Sequence, residues 1–552
     1  MSIYFLILLF LVILSGVCLA QQEERVIRTP QGLVKGYKED DIFIFYGIPY
    51  ATGPKGKDRF SAPLASPTWQ DTFEAVDRGI ICPQGTGLPF KNLTMQEDCL
   101  IANVFVPDTN VKKLPVVVYV HGGSYQIGYS NYRTYINLVK SKKLIAITFN
   151  YRLGVHGFLC LGTTDVPGNA GLKDQVALLK WVKRNIASYG GDPKDVTIAG
   201  YSAGSSSVDI LMLSPSTRGL FNKVIAESGA NIAVFSVQID PLENAKIYAK
   251  SLGFDDVDNL YRLEEFYKTA SYDLLTKETF MNRTDSVFVF TPCIERKTRA
   301  QNILTDSPYN ILKSGEYEKV PMLYGFSEME GLFRLPRFET WKHKMNEKFE
   351  EFLPADLKFD CDDDRHKVVD QIKTFYFEGK PVSDDNILSY INYFSDVLFT
   401  FPMIRAVKFH AEAGHREIYL YEYTYVDESA PVIPHTNNTR GANHCDQTLA
   451  ISDGSMWLGP PDEENLSENY INMKALMRSI WISFITSGSP SSSGTTIPAW
   501  PSARANGSPF MSLGRTVSLE GGALLEPRMR FWHEIYDRYY RKPIPPTSTM
   551  YR

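Results

Sequence analysis

Cysteine is scarce in this chain: 552 residues hold only seven, and Cys18 lies within the first twenty. The remainder cannot staple a chain of this size, so a large apolar core must supply the stability. Nor is there a surplus of either charge, since 58 basic side chains face 63 acidic ones and leave a net charge of −5. That balance excludes nucleic acid as a partner, because a polyanion binder carries a basic excess. Beyond the N-terminus no apolar run approaches the roughly 20 residues that a membrane-crossing helix needs, so no membrane span is expected in the mature chain. Internal repeats and low-complexity linkers are also missing. A length worth several domains at about 150 residues each therefore reads as a single domain over residues 21–552.

What is present begins with an uncharged N-terminal segment. Residues 3–14 are almost wholly apolar, small residues follow at Ser15, Gly16 and Ala20, and Gln21, Gln22, Glu23 and Glu24 open a polar run. This is the form of a signal peptide over residues 1–20, cleaved after Ala20. A secreted, extracellular protein is expected. In that oxidising setting Cys82 and Cys99, which flank a loop rich in Gly and Pro, can close it. Cys160 and Cys293 lie in apolar sequence and read as buried thiols. Sequons at Asn92, Asn282, Asn437 and Asn465 mark glycosylation candidates, and a fifth at Asn506 is weakened by Pro509.

The middle of the chain alternates strand and helix. Leu114–Val120 (LPVVVYV) and residues 144–149 are continuous apolar, β-branched runs that suit strands covered on both faces. A helical pattern covers residues 171–188, a short strand 196–199, and a helix Ala203–Leu213. Further strands are expected at 224–226, 322–324 and 418–425. Such alternation predicts an α/β architecture, a central mostly parallel sheet flanked by helices. Residues 25–50 read instead as short antiparallel strands with turns near Gly32 and Gly36. Residues 335–410 read as a polar helical insertion over the sheet, with Asp360, Asp362, Asp363 and Asp364 as a solvated loop lacking any metal-ligand geometry.

The strongest local signal is Gly200-Tyr201-Ser202-Ala203-Gly204, set directly between a strand and a helix. A nucleophile on so sharp a turn takes a strained backbone that small neighbours permit, and the helix N-terminus beneath it favours developing negative charge. His121-Gly122-Gly123-Ser124 follows the strand Leu114–Val120. That turn can aim the backbone N–H groups of Gly123 and Ser124 at an oxyanion, alongside the N–H of Ala203.

With these motifs the sequence resembles the type-B carboxylesterases, a family with the α/β-hydrolase fold and helical insertions over the active site. Gln96-Glu97-Asp98-Cys99-Leu100 and the stretch from Tyr189-Gly190-Gly191-Asp192-Pro193 to Ser202 resemble its two signatures. Residues 45–49, Asn150-Tyr151-Arg152-Leu153-Gly154 and Pro167-Gly168-Asn169 match in order. The resemblance implies a secreted serine esterase that acts on a small-molecule carboxylic ester. Ser202 is its nucleophile, Glu330 of Glu330-Gly331 its acid, with Glu328 as runner-up, and His444 of Gly441-Ala442-Asn443-His444 its base. The order Ser, Glu, His is that of an α/β-hydrolase. The resemblance also implies a Cys82–Cys99 disulfide and an Arg59–Glu97 ion pair, and neither metal nor organic cofactor.

Several residues depart from the family pattern. Ser124 stands where a third glycine is usual, which predicts a bias toward small acyl groups. Tyr201 replaces a glutamate that many members carry, and the Cys82–Cys99 loop has no Trp to hold a quaternary ammonium group. Small neutral esters are therefore expected as substrates rather than choline esters. Phe254 takes the place of a disulfide cysteine, and Cys361 and Cys445 lack assigned partners. The alternative is a weak or inactive binding protein on the same fold, such as the family's adhesion relatives.

Overall fold

A computed structural model describes residues 23–85, 93–277, 283–297, 302–453, 466–491, 497–505, 508–521 and 525–546. The expected signal peptide and the sequons at Asn92, Asn282, Asn465 and Asn506 lie outside the described residues. Asn437 is described and exposed.

The described residues build a 13-stranded sheet. Its main strands are β1 (Glu24–Thr29), β2 (Gly32–Glu39), β3 (Ile42–Pro49), β4 (Ile101–Pro107), β5 (Leu114–Val120), β6 (Ile145–Phe149) and β7 (Gly191–Tyr201). They continue with β8 (Lys223–Glu227), β9 (Met322–Ser327), β10 (Ile418–Tyr423), β11 (Phe510–Leu513) and β12 (Val517–Glu520). The spatial order is β1-β2-β3-β4-β6-β5-β7-β8-β9-β10-β11-β12. Strands from β6 to β11 pair in parallel, and the edges are antiparallel. The apolar runs read from sequence are thus the sheet centre. In β5 alternate residues serve different layers: Val116, Val118 and Val120 enter one core cluster, Val117 and Tyr119 the other. Helices α1 (Ala170–Asn185) and α2 (Ala203–Leu213) match their sequence patterns within a few residues.

Residues 335–410 form a helical layer with its own aromatic core, including Phe338, Trp341, Tyr390, Phe394 and Phe399. There Asp384–Glu412 is long and apolar enough to cross a membrane by composition, yet 78% of its most apolar 18-residue stretch is buried inside the protein. Core packing accounts for its hydropathy.

Three expectations change. Cys160 and Cys293 are not thiols but a disulfide, closing a separation of 133 residues. Apolar surroundings suit either state, and only the fold brings the two sulfurs together. Gly36 lies inside β2 rather than in a turn, paired with Arg25 of β1, and glycine is needed there because a Cβ would stand 2.5 Å from the Ile44 carbonyl oxygen. The acidic run at 362–364 is the first turn of the helix Asp362–Phe377, where carboxylates offset the helix dipole. Two family-implied pairs are present: Cys82–Cys99 is bonded, and Arg59 Nε lies 2.9 Å from Glu97 Oε1. A second pair, Arg152 with Asp174, is fully buried and bidentate, with N···O distances of 2.8 and 2.6 Å.

Candidate active site

β7 ends at Tyr201 and α2 begins at Ala203, so Ser202 alone makes the reversal, at φ 54° and ψ −124°. A non-glycine residue there stores strain on the order of 1–3 kcal/mol. The surroundings impose it. Ser202 N–H donates to the Glu227 carbonyl at 2.8 Å, and the Ser202 carbonyl accepts from Ser206 N–H at 3.0 Å. The flanking glycines are obligatory: a Cβ on Gly200 would meet Gly204 O at 2.4 Å, and one on Gly204 would meet Val120 O at 2.1 Å.

The loops after β9 and β10 deliver two further groups. His444 Nε2 lies 3.0 Å from Ser202 Oγ, and His444 Nδ1 lies 2.5 Å from Glu330 Oε2. Ser202, Glu330 and His444 are all buried, Glu330 completely. Glu328, the runner-up, is exposed. The second Glu330 oxygen, Oε1, accepts from Ser327 N–H at 2.8 Å and from Ser228 Oγ at 2.5 Å. Gln447 closes the ring, since its Nε2 donates to Ser228 Oγ and its Oε1 accepts from Ser327 Oγ, each at 2.5 Å. His444 is fixed as tightly. Met329 N–H donates to Ala442 O at 3.0 Å, tying the Glu330 loop to the His444 loop. His444 N–H donates to Asn443 Oδ1, and Asn443 N–H donates to Asp446 Oδ2, both at 2.7 Å. Burial pushes the Asp446 carboxyl up to about 7.

The helical layer shapes both groups. Gly331 packs so closely that a Cβ would lie 1.9 Å from Ile391 O, and its N–H donates to Ser395 Oγ at 2.8 Å. One turn on, residues Asp396–Thr400 form a π-helical step. Within that step Phe399 stacks on the His444 ring at 4.1 Å. Phe333 lies 5.3 Å from the same ring, and Phe235 and Phe288 extend the aromatic wall beyond Phe399.

The glycine turn lies against Ser202, where a Cβ on Gly122 would come within 3.0 Å of Ser202 Cβ. Gly123, at φ 114°, has no room for a side chain, since a Cβ would meet Ile127 O at 2.0 Å. Its carbonyl accepts from Gln126 and Ile127, and Ser124 and Tyr125 follow in left-handed conformations. Ala203, which follows Ser202, and Ser124, two residues after Gly122, are both buried.

Sequence reasoning missed Glu227, Ser228, Gln447 and Phe399. Glu227 is fully buried beneath the nucleophile's turn, where its Oε1 accepts from Tyr421 and Trp481 and its Oε2 from Thr448. Burial pushes its carboxyl up to about 7. No spacing signal marks these residues, which meet the site only through the sheet.

Away from this site, Glu339, Asp384 and His435 bring one ligand atom each within 4.8 Å of one another. The Lys342 ammonium already sits 2.7 Å from both carboxylates, so the chain itself supplies a cation to this cluster.

Residues 23–532 match the model of the Carboxylesterase family. The chain is 30% identical over 496 residues to para-nitrobenzyl esterase of Bacillus subtilis, spanning 86% of this chain and 92% of that protein. It is 32% identical to juvenile hormone esterase of Heliothis virescens, over 83% of this chain and 84% of the relative. The crystal structure of juvenile hormone esterase from Manduca sexta superposes with a TM-score of 0.83 at 28% identity, covering 93% of this chain and 100% of that one. The architecture is accordingly that of the α/β-hydrolases.

Proposed function

The chain belongs to the carboxylesterase family and is a carboxylic ester hydrolase, and from that premise we propose that Ser202, His444 and Glu330 carry out the cleavage. His444 Nε2 takes the proton of Ser202 Oγ as the oxygen attacks the ester carbonyl, then gives it to the leaving alcohol. Glu330 holds the imidazole in the tautomer that points its lone pair at Ser202 and stabilises the imidazolium. The N–H groups of Gly123, Ser124 and Ala203 hold the oxyanion, where losing one donor typically costs about 2.7–4 kcal/mol. Water, activated by the same imidazole, releases the acid from the acyl-enzyme. The unbroken relay from Glu330 through His444 to Ser202 Oγ carries this reading.

The aromatic wall of Phe333, Phe399, Phe235 and Phe288 favours a neutral ester with an apolar part. The substrate is read as a small neutral ester, and relatives named for juvenile hormone and for para-nitrobenzyl esters support a neutral substrate. Two disulfides and the exposed Asn437 sequon support passage through the secretory pathway after removal of residues 1–20. A fluorophosphonate probe tests the catalytic reading. Label on Ser202, absent from Ser202→Ala, is expected; an unlabelled, folded protein that leaves p-nitrophenyl acetate intact would defeat it.

A further inference from the structure

Arg133 is buried to 3% exposure, yet no carboxylate reaches it as an ion-pair partner among the described residues. Its Nη1 makes a long contact of 3.4 Å to Ser452 Oγ, and among the described residues its Nε and Nη2 have no well-formed acceptor, the Tyr201 side chain being a weak hydrogen-bond partner. Aromatic rings hold it instead. Its guanidinium carbon sits 4.8 Å from the centre of the Tyr201 ring and 5.8 Å from that of Tyr132.

The position of that charge matters because of what Tyr201 touches. Tyr201 directly precedes the nucleophile, and its ring packs against Gly122, the glycine that abuts Ser202. The cation is therefore one side chain away from the reacting centre. The carboxyls that feel it at longer range, Glu227 and Asp446, are both pushed up to about 7 by burial, so they offset the cation least below that pH and partly above it, and the ester comparison is made on both sides of pH 7. A fixed positive charge in a low-dielectric interior acts over such a distance with little screening.

We propose that Arg133 is a specificity-determining residue whose buried charge, relayed across Tyr201, selects against cationic esters at Ser202. Residue 201 then has a second role besides filling space: its ring supplies the face that holds the guanidinium. A like charge about 10 Å away at an effective dielectric near 20 is worth roughly tenfold in kcat/KM. The proposal rests on Ser202 being the nucleophile.

The test compares two thioacetates of the same shape, one with a trimethylammonium head and one with its uncharged tert-butyl equivalent. Wild-type enzyme should prefer the neutral ester by about tenfold or more. Arg133→Met should bring the neutral-to-cationic ratio of kcat/KM down toward unity, and Arg133→Lys should retain it. A ratio unchanged in a folded Arg133→Met enzyme overturns the proposal. Equal use of the two esters by wild type overturns it without any variant, should Arg133→Met fail to fold. Failure of Ser202 to take a fluorophosphonate label would instead sink the catalytic reading beneath it.

Discussion

Replacing Glu330 by Gln isolates what the acid does, because both of its oxygens have assigned work. Oε2 accepts from His444 Nδ1, and Oε1 accepts from Ser327 N–H and Ser228 O–H. A carboxamide has one acceptor oxygen, so Glu330→Gln has two orientations, each with a distinct cost. If the oxygen faces His444, the amide donors face Ser327 N–H and Ser228 Oγ. Ser327 N–H then meets a donor in place of Oε1, so a buried donor loses its acceptor at about 1–3 kcal/mol of stability. If the nitrogen faces His444, the ring must present a lone pair at Nδ1 and carry its proton on Nε2. Ser202 then has no base, and loss of the correct tautomer lowers turnover about 10⁴-fold in a comparable triad. Even the oxygen-in orientation removes the negative charge that stabilises the imidazolium. The assay is kcat for p-nitrophenyl acetate alongside the urea midpoint of unfolding. The expected result is a loss of at least a hundredfold in kcat, with any rate above that floor matched by lost stability. A Glu330→Gln enzyme within tenfold of wild type and equally stable would refute the role assigned to Glu330.

Three further perturbations follow from the structure. Removing both Cys160 and Cys293 frees a loop of 133 residues, which predicts a loss of about 5 kcal/mol from loop entropy; a guanidinium midpoint that implies less than about 1 kcal/mol would contradict it. Glu227 is fully buried with its carboxyl raised from 4.5 to about 7. The folded state thus holds a proton that the unfolded state releases first, so its stabilising contribution is complete below pH about 4.5 and lost as pH rises through about 7. Glu227→Gln should flatten that decline, worth on the order of 3 kcal/mol, and denaturation curves of the two proteins at pH 4.5 and pH 8 that keep a constant gap would exclude it. Ser124 sits at φ 58°, so Ser124→Gly relieves left-handed strain of about 1–2 kcal/mol against a similar entropic cost. Stability should hardly move while kcat/KM for longer acyl chains rises relative to acetate; an unchanged chain-length profile tells against Ser124 as the acyl limit.

The site was legible where chemistry is written into contiguous residues. The Ser202 turn needs a strand, two glycines and a helix in one short run, and each leaves a local mark. His444 and Glu330 were legible only through the resemblance, since a lone His or Glu after a loop carries no signal of its own. Ser228, Gln447 and Phe399 stayed hidden because their contacts are made between chain segments. Ser228 reaches Glu330 across 102 residues, and Gln447 reaches Ser228 across 219. The Cys160–Cys293 pairing was hidden for the same reason, and both sulfurs sit beside Gly168, where even a Cβ would collide with them. Of the fold, the central strands were plain from β-branched runs. β11 and β12 were not, being four residues each at the far edge of the sheet.

The contact between Gly331 and Ile391 bears on how such enzymes can be rebuilt. The layer over residues 335–410 looks like an exchangeable cap on a standard catalytic body. Yet the carbonyl of Ile391 is the surface onto which the acid's loop is pressed. Phe399, eight residues on, is the plate behind the His444 ring. A chimera that borrowed this layer from a relative to acquire its selectivity would also import a new mould for Glu330 and His444. Modularity here stops short of the cap, and the transplantable unit is the layer together with the two loops it casts.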